Sequence, residues 1–215
     1  EQREQTRNHV LELLARGAPL ASILEAIIRG LEQQNENLFC SIQILNSEGK
    51  RLFIGAAPRL PDFFVDALNG SEVGVGQGSC GTAAFTGQRV IVDDIRAHPS
   101  WANYQAVSAK AALLSSWSEP IRSVTGKVLG TIAIYHRHVH TPDEQEIKIV
   151  GQAANLAEIA LGRRYADHSL KEKEGLLSDI LENVSAYIYM KDMHGRYLFA
   201  NRMLRERFDA PMEEI

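Results

Sequence analysis

Between residues 74 and 87 the chain reads Gly-Val-Gly-Gln-Gly-Ser-Cys-Gly-Thr-Ala-Ala-Phe-Thr-Gly. No other stretch restricts the fold as tightly. Glycine at every second position from 74 to 78 permits a tight loop with exposed backbone, and the small residues of 79–86 predict a helix that can lie close to a neighbour. Apolar runs at 89–95, 118–121 and 126–135 predict strands. A loop of this kind entering a helix above strands builds a pocket with backbone amides at its mouth. Nothing beside it has the spacing of a catalytic triad, a zinc site or a Walker loop.

The flanking segments predict what surrounds that pocket. Residues 4–15 form a charged helix with Val10, Leu11, Leu13 and Leu14 on one side. After the break at Gly17-Ala-Pro19, Leu20, Ile23, Leu24, Ile27, Ile28 and Leu31 recur at helical spacing over 20–32, a stripe wide enough to cover a sheet. Residues 38–45 and 51–57 read as strands around the turn Asn46-Ser-Glu-Gly49. A short amphipathic helix is expected over 61–68, a strand over 90–92, loop and helix over 93–110, and a hairpin from 117–124 and 127–135 around Thr125-Gly126. Strand following strand with segregated helices predicts an α+β fold with an antiparallel sheet.

A long helix is expected next. Thr141 reads as its N-cap, Pro142 as its first residue, and Asp143 and Glu144 as first-turn carboxylates. Ile147, Val150, Ala154, Ala157, Leu161 and Tyr165 recur three and four residues apart. The pattern breaks near His168 and resumes at Leu176. Such a helix is expected to pair with a second copy, the N-terminal helix joining it in a two-chain bundle. The alternative is a helix capping its own domain to about residue 164, followed by a connector.

The loop and helix of 74–87, with Val92-Asp93-Asp94-Ile95, His98-Pro99-Ser100-Trp101 and Trp117-Ser118-Glu119-Pro120-Ile121, resemble GAF sensor domains over roughly residues 20–164. The match is closest in kind to those of multidomain bacterial signalling proteins. Residues 178–215 resemble the opening of a PAS domain: a cap helix, a strand to Met190, the turn Asp192-Met-His-Gly195, a strand to Phe199, and Asn201 capping a helix. These resemblances imply an N-terminal dimerisation helix over 1–16, a GAF domain over 17–164, a signalling linker over 165–184 and an incomplete PAS segment over 185–215. Two strands bury too little surface to stand alone, so that last segment is expected to lean on a neighbour or to be poorly ordered. They also imply a non-catalytic sensor. A small ligand, or a redox or gas cue, would bias the pocket, and the long helix would carry the signal to a PAS domain and then to a cyclic-di-GMP or histidine-kinase output. The cofactor is left unspecified.

Within that frame, the expected pocket residues are Ser79, Cys80, Thr82, Asp94, Trp101, Tyr104, Ser116, Trp117 and Ser118. Aromatic rings offer stiff contact area and the serines adjustable hydrogen bonds. Trp117 reads equally as plain core, and Trp101 reads more readily as packing its loop down. Cys80, at a helix N-terminus whose dipole and free amides would lower a thiol pKa, reads first as a small buried pocket residue and otherwise as a redox-sensing thiol. Free methionine-(R)-sulfoxide reductases of this family carry a similar Gly-x-Cys-Gly run and need a second reactive cysteine downstream. Residues 98–105 contain none, and Cys40 is no substitute. A dimerisation spacer with a self-filled pocket is the remaining alternative.

Other chemistries have weaker support. Cys80 is not followed by the His that bilin attachment requires. Of the cyclic-nucleotide signature only Asp143-Glu144 is present. His98 could ligate haem, but a His before Pro in a polar loop reads as a cap. His136, His138 and His140 alternate and could hold Zn²⁺ or Ni²⁺, yet they fall where the strand is expected to end in solvent.

Bulk properties exclude further classes. A net charge of -4 gives no electrostatic basis for binding nucleic acid or an anionic membrane, and no run reaches the ~18 apolar residues of a membrane span. The only cysteines, Cys40 and Cys80, match no disulfide framework, which implies a reducing, cytosolic setting. The chain begins at Glu1 rather than Met and is expected to be part of a longer protein.

Overall fold

The computed structural model describes residues 2–33, 35 and 37–208. They fall into two compact units, Glu1–Arg163 and Arg164–Ile215.

In the first unit, helices α1 (Gln2–Ala15) and α2 (Leu20–Glu32) precede strands β1 (Phe39–Leu45) and β2 (Arg51–Ala56). The β1–β2 turn closes because the Asn46 side-chain oxygen accepts the Lys50 and Arg51 N–H groups at 2.9 and 3.0 Å, while Gly49 takes φ +72°. Helix α3 (Asp62–Leu68), the short strand β3 (Ser71–Glu72), helix α4 (Gly78–Thr86) and strand β4 (Val90–Val92) follow. A 3-10 helix (Pro99–Tyr104) then leads into α5 (Gln105–Lys110) and the hairpin β5 (Ser115–Arg122)–β6 (Val128–His136). The six strands form one antiparallel sheet in the order β3-β2-β1-β6-β5-β4. The α+β reading of the sequence is correct; only the two-residue β3 lay below its resolution.

Strand alternation gives the sheet two different faces. One carries Phe64, Leu68, Cys80, Ala84, Val92, Trp101, Leu113 and Tyr135 in a single core beneath α3, α4 and the 3-10 helix. The other carries Ile42, Trp117, Ile132 and Ile134, with Ile23, Leu24, Ile27 and Ile28 of α2 also buried. Each buried Val, Leu, Ile or Phe among them contributes roughly 1.5–3 kcal/mol by leaving water.

Helix α4 lies close to β3 because Gly81 has no Cβ: an added one would sit 2.6 Å from the Glu72 carbonyl oxygen. Thr82 ties down the loop before it, donating to the Gly78 carbonyl at 2.7 Å and accepting the Gly76 N–H at 3.3 Å.

Helix α6 runs over Glu144–Asn183. Its N-cap is Asp143, not Thr141. Asp143 accepts the Glu146 N–H at 2.7 Å and Glu146 accepts the Asp143 N–H at 2.9 Å, a reciprocal capping box that Pro142 precedes.

The expected two-chain seam also needs correcting. Val150, Ala154, Ala157 and Leu161 are buried within this chain and Ile147 is half-buried, because the sheet must cover the face opposite α4. Arg163 anchors this part of α6 by donating to the Leu14 carbonyl at 2.8 Å.

In the second unit, strands β7 (Tyr189–Lys191) and β8 (Tyr197–Ala200) form a hairpin before α7 (Arg202–Phe208). Asn201 organises it. Its side chain accepts the Ile188 N–H at 3.1 Å and donates to the Leu181 and Ala186 carbonyls at 3.1 and 2.8 Å. It also caps α7 through the Leu204 N–H at 3.3 Å. Tyr165 is half-buried here. Among the described residues, no helix is long and apolar enough to cross a membrane.

Candidate functional site

Where α4 meets the sheet, apolar alternation gives way to a buried polar patch. Ser41 and Gln43 of β1, Ser116 and Ser118 of β5, and Thr131 of β6 are all fully buried. The register sets Gln43 beside Thr131 and Ser116 beside Tyr135, so these side chains share one face. From α4, Ser79 Oγ lies 2.8 Å from Ser116 Oγ and accepts the Ser118 hydroxyl at 3.0 Å. Cys80 Sγ lies 3.2 Å from Ser118 Oγ and 3.9 Å from Tyr135 Oη. Trp101 forms the roof, edge-on to Tyr104 at 5.9 Å and to Tyr135 at 6.3 Å between ring centroids.

These groups surround a cavity of about 10 Å³ lined by Gln43, Gln77, Ser79, Cys80, Trp101 and Tyr104 among others. That volume is near the minimum for one water molecule. Both polar atoms of the Gln43 amide and the Trp101 indole N–H have no hydrogen-bond partner among the described residues. Leaving such groups unpaired costs roughly 1–3 kcal/mol each.

The patch is electrostatically neutral. Burial raises the Cys80 pKa above its ordinary value, with the hydrogen bond to Ser118 the largest opposing effect. The shift is opposite to the one a helix N-terminus would give: loss of water outweighs the hydrogen bonds that neighbouring side chains offer the thiolate. Burial, and then Cys80, push Tyr135 well above the ordinary phenol range. Both groups are protonated hydrogen-bonding groups at neutral pH.

The family model for the GAF domain matches residues 17–162. The chain belongs to the GAF domain family. It is 36% identical over 211 residues to the methyl sulfide methyltransferase-associated sensor of Methanosarcina acetivorans, a match covering 98% of this chain and 21% of that protein. The chain thus spans about a fifth of that relative. Among solved structures it resembles the GAF domain from a phosphoenolpyruvate-protein phosphotransferase of Coxiella burnetii, with TM-score 0.64, 18% identity, and 78% and 95% of the two chains covered. It also resembles the free methionine-R-sulfoxide reductase of Neisseria meningitidis, with TM-score 0.56, 17% identity, and coverage of 75% and 91%. At these identities the structural likenesses establish the fold.

The GAF domain brings six of the nine expected pocket residues together: Ser79, Cys80, Trp101, Tyr104, Ser116 and Ser118. The other three lie elsewhere. Trp117 follows Ser116 on the strand and therefore points to the opposite face, where it lines a 290 Å³ groove with Ile134, Ile149 and Val150. Thr82 holds the glycine loop. Asp94 is bound to the Arg96 side chain at 2.7 and 2.9 Å, which holds its carboxyl below the usual range.

Sequence reading missed Gln43, Ser41, Thr131 and Tyr135. The clue was polar residues at alternate positions in otherwise apolar strands, which looks like a solvent-facing pattern until a helix covers it.

Cys40 and Cys80 are free, and they occupy opposite faces of the sheet. His98 caps the 3-10 helix, accepting the Ser100 N–H at 3.3 Å. His136, expected at an exposed strand end, is instead buried at 1% exposure, and burial followed by the neighbouring His140 and His138 lowers its pKa to about 4.

Proposed function

We propose that this GAF domain is a non-catalytic sensory module that binds a small ligand between α4, the 3-10 helix and the sheet. The observation that supports this most is the unpaired amide of Gln43 and indole N–H of Trp101, both buried at one neutral, hydroxyl-rich cavity. A compact neutral ligand with a hydrogen-bonding edge and an apolar or planar body fits such a lining. Entry would require Trp101 and Tyr104 to swing outward. A redox cue sensed by Cys80 is disfavoured, because its thiol is buried and Cys40 lies across the sheet. The same two facts disfavour a sulfoxide reductase.

Signal would leave through α6 towards the PAS-like segment at 185–215 and an output such as cyclic-di-GMP turnover or a histidine kinase. Dimerisation belongs to this reading, with a different seam. Ile149, Leu156, Leu170 and Leu177 recur every seven residues or multiples of seven, joined by Ile159 and Ile180. Ile159, Leu170, Leu177 and Ile180 are each about half exposed or more, at 47–57%.

The cavity of about 10 Å³ favours a second reading, a structural spacer filled by its own side chains. Native mass spectrometry with an absorbance scan, on protein as purified, separates the two. For a sensor, the native species retains a small mass that Gln43→Leu abolishes. For a spacer, no mass is retained and Gln43→Leu raises the melting temperature by removing an unpaired buried amide.

A further inference from the structure

On the sheet face opposite the pocket, the end of β6 and the first turn of α6 bring His136, His140 and Glu146 together. Their ligand atoms all lie within 4.8 Å of one another. The His136 and His140 rings lie 4.2 Å apart between centroids, tilted by 47°, and His138 lies 5.2 and 5.5 Å from them respectively. His140 Nε2 is 2.9 Å from a Glu146 oxygen, an ordinary hydrogen bond that accounts for those two residues alone.

It does not account for His136. That ring is 1% exposed, its Nδ1 lies 3.4 Å from Ser115 Oγ, and its Nε2 meets no partner among the described residues. In the tautomer whose Nδ1–H donates to Ser115, Nε2 keeps a free lone pair, the arrangement a metal-binding histidine shows when a neighbour holds its other nitrogen. Glu146 is oriented as well, since it also accepts the Asp143 N–H. Access is open: the His140 and Glu146 side chains are 25% and 31% exposed.

We propose that His136, His140 and Glu146 bind a divalent transition-metal ion of the Zn²⁺ class, leaving the remaining coordination positions to solvent. Two imidazoles and one carboxylate suit Zn²⁺ and its neighbours rather than Mg²⁺ or Ca²⁺, which take oxygen ligands. In a tetrahedral site ligand atoms stand about 3.3 Å apart, so modest rotations of His140 and Glu146 close the set. The ligands come from a strand end, a connector and a helix start, so the ion would clamp the β6–α6 junction. The proposal is independent of the pocket reading.

The test uses the untagged 215-residue chain, stripped with chelator and titrated with Zn²⁺ by calorimetry, with Co²⁺ absorption as a second readout. The expected result is one ion per chain, a higher melting temperature with Zn²⁺, and affinity at least about ten-fold weaker in His140→Ala and Glu146→Gln. Gln retains the helix cap, so a loss in Glu146→Gln reports coordination rather than folding. His168→Ala, at an exposed histidine elsewhere on α6, should change nothing. Absence of saturable binding, equal affinity in His140→Ala, or an equal loss in His168→Ala would each overturn the site.

Discussion

Glu32 ends α2 with one carboxylate oxygen accepting the Cys40 N–H at 3.0 Å and the other unpaired, at 4% overall exposure. Burial raises its pKa from 4.5 to about 7, against the Cys40 hydrogen bond and the charges of Arg59 and Arg29. The folded chain therefore holds a proton that the unfolded chain releases above about pH 4.5. Stability supplied by this group is complete below that pH and is lost as pH rises towards about 7, by about 3 kcal/mol at most. Melting curves across that window should fall for the wild type and stay flatter for Glu32→Gln; parallel curves would refute the assignment. Glu32 and Cys80 share a lesson. Each residue's type and local position were visible in the chain, but the sign of its pKa shift followed from water exclusion, which distant elements impose.

At the scale of elements, local signals were reliable. The Gly-rich loop, the hairpin turns and the Pro-Asp-Glu helix start each depend on residues within a few positions, and each formed close to where the pattern put it. The cap moved from Thr141 to Asp143 because Asp143 and Glu146 satisfy each other's N–H groups. Gly81→Ala should destabilise the GAF domain by roughly 1–3 kcal/mol in denaturant unfolding, since its Cβ meets backbone that cannot rotate away. Proline tests of α6 must respect its burial: Leu161→Pro would disrupt the domain core itself. At Gly175 an added Cβ meets nothing within 4 Å. There Gly175→Pro should leave the melting of Glu1–Arg163 unchanged while uncoupling output in the longer protein; retained regulation would exclude transmission through α6.

For the whole molecule the question is which apolar surface is left over. Val150, Ala154, Ala157 and Leu161 are used internally, whereas Leu170, Leu177 and Ile180 are exposed. Sedimentation analysis should find a dimer, and Leu177→Glu with Ile180→Glu should convert it to monomer without lowering the melting temperature of the GAF domain. A dimer that survives the double substitution would move the interface elsewhere.

Periodicity, turn residues and caps act over a few residues, so the chain alone determined its α+β class, its strand and helix boundaries to within a few positions, and its GAF membership. Of the nine residues expected at the pocket, Ser79 and Cys80 come from the local motif, whereas Trp101, Tyr104, Ser116 and Ser118 reach the same cavity only through the fold. Gln43 and Tyr135 were not legible in the chain, nor was the burial of His136, because these depend on which strands become neighbours and which face a helix covers. Trp117 shows the limit most simply. One residue along a strand reverses the side chain's face, and only the assembled sheet decided which face became the pocket.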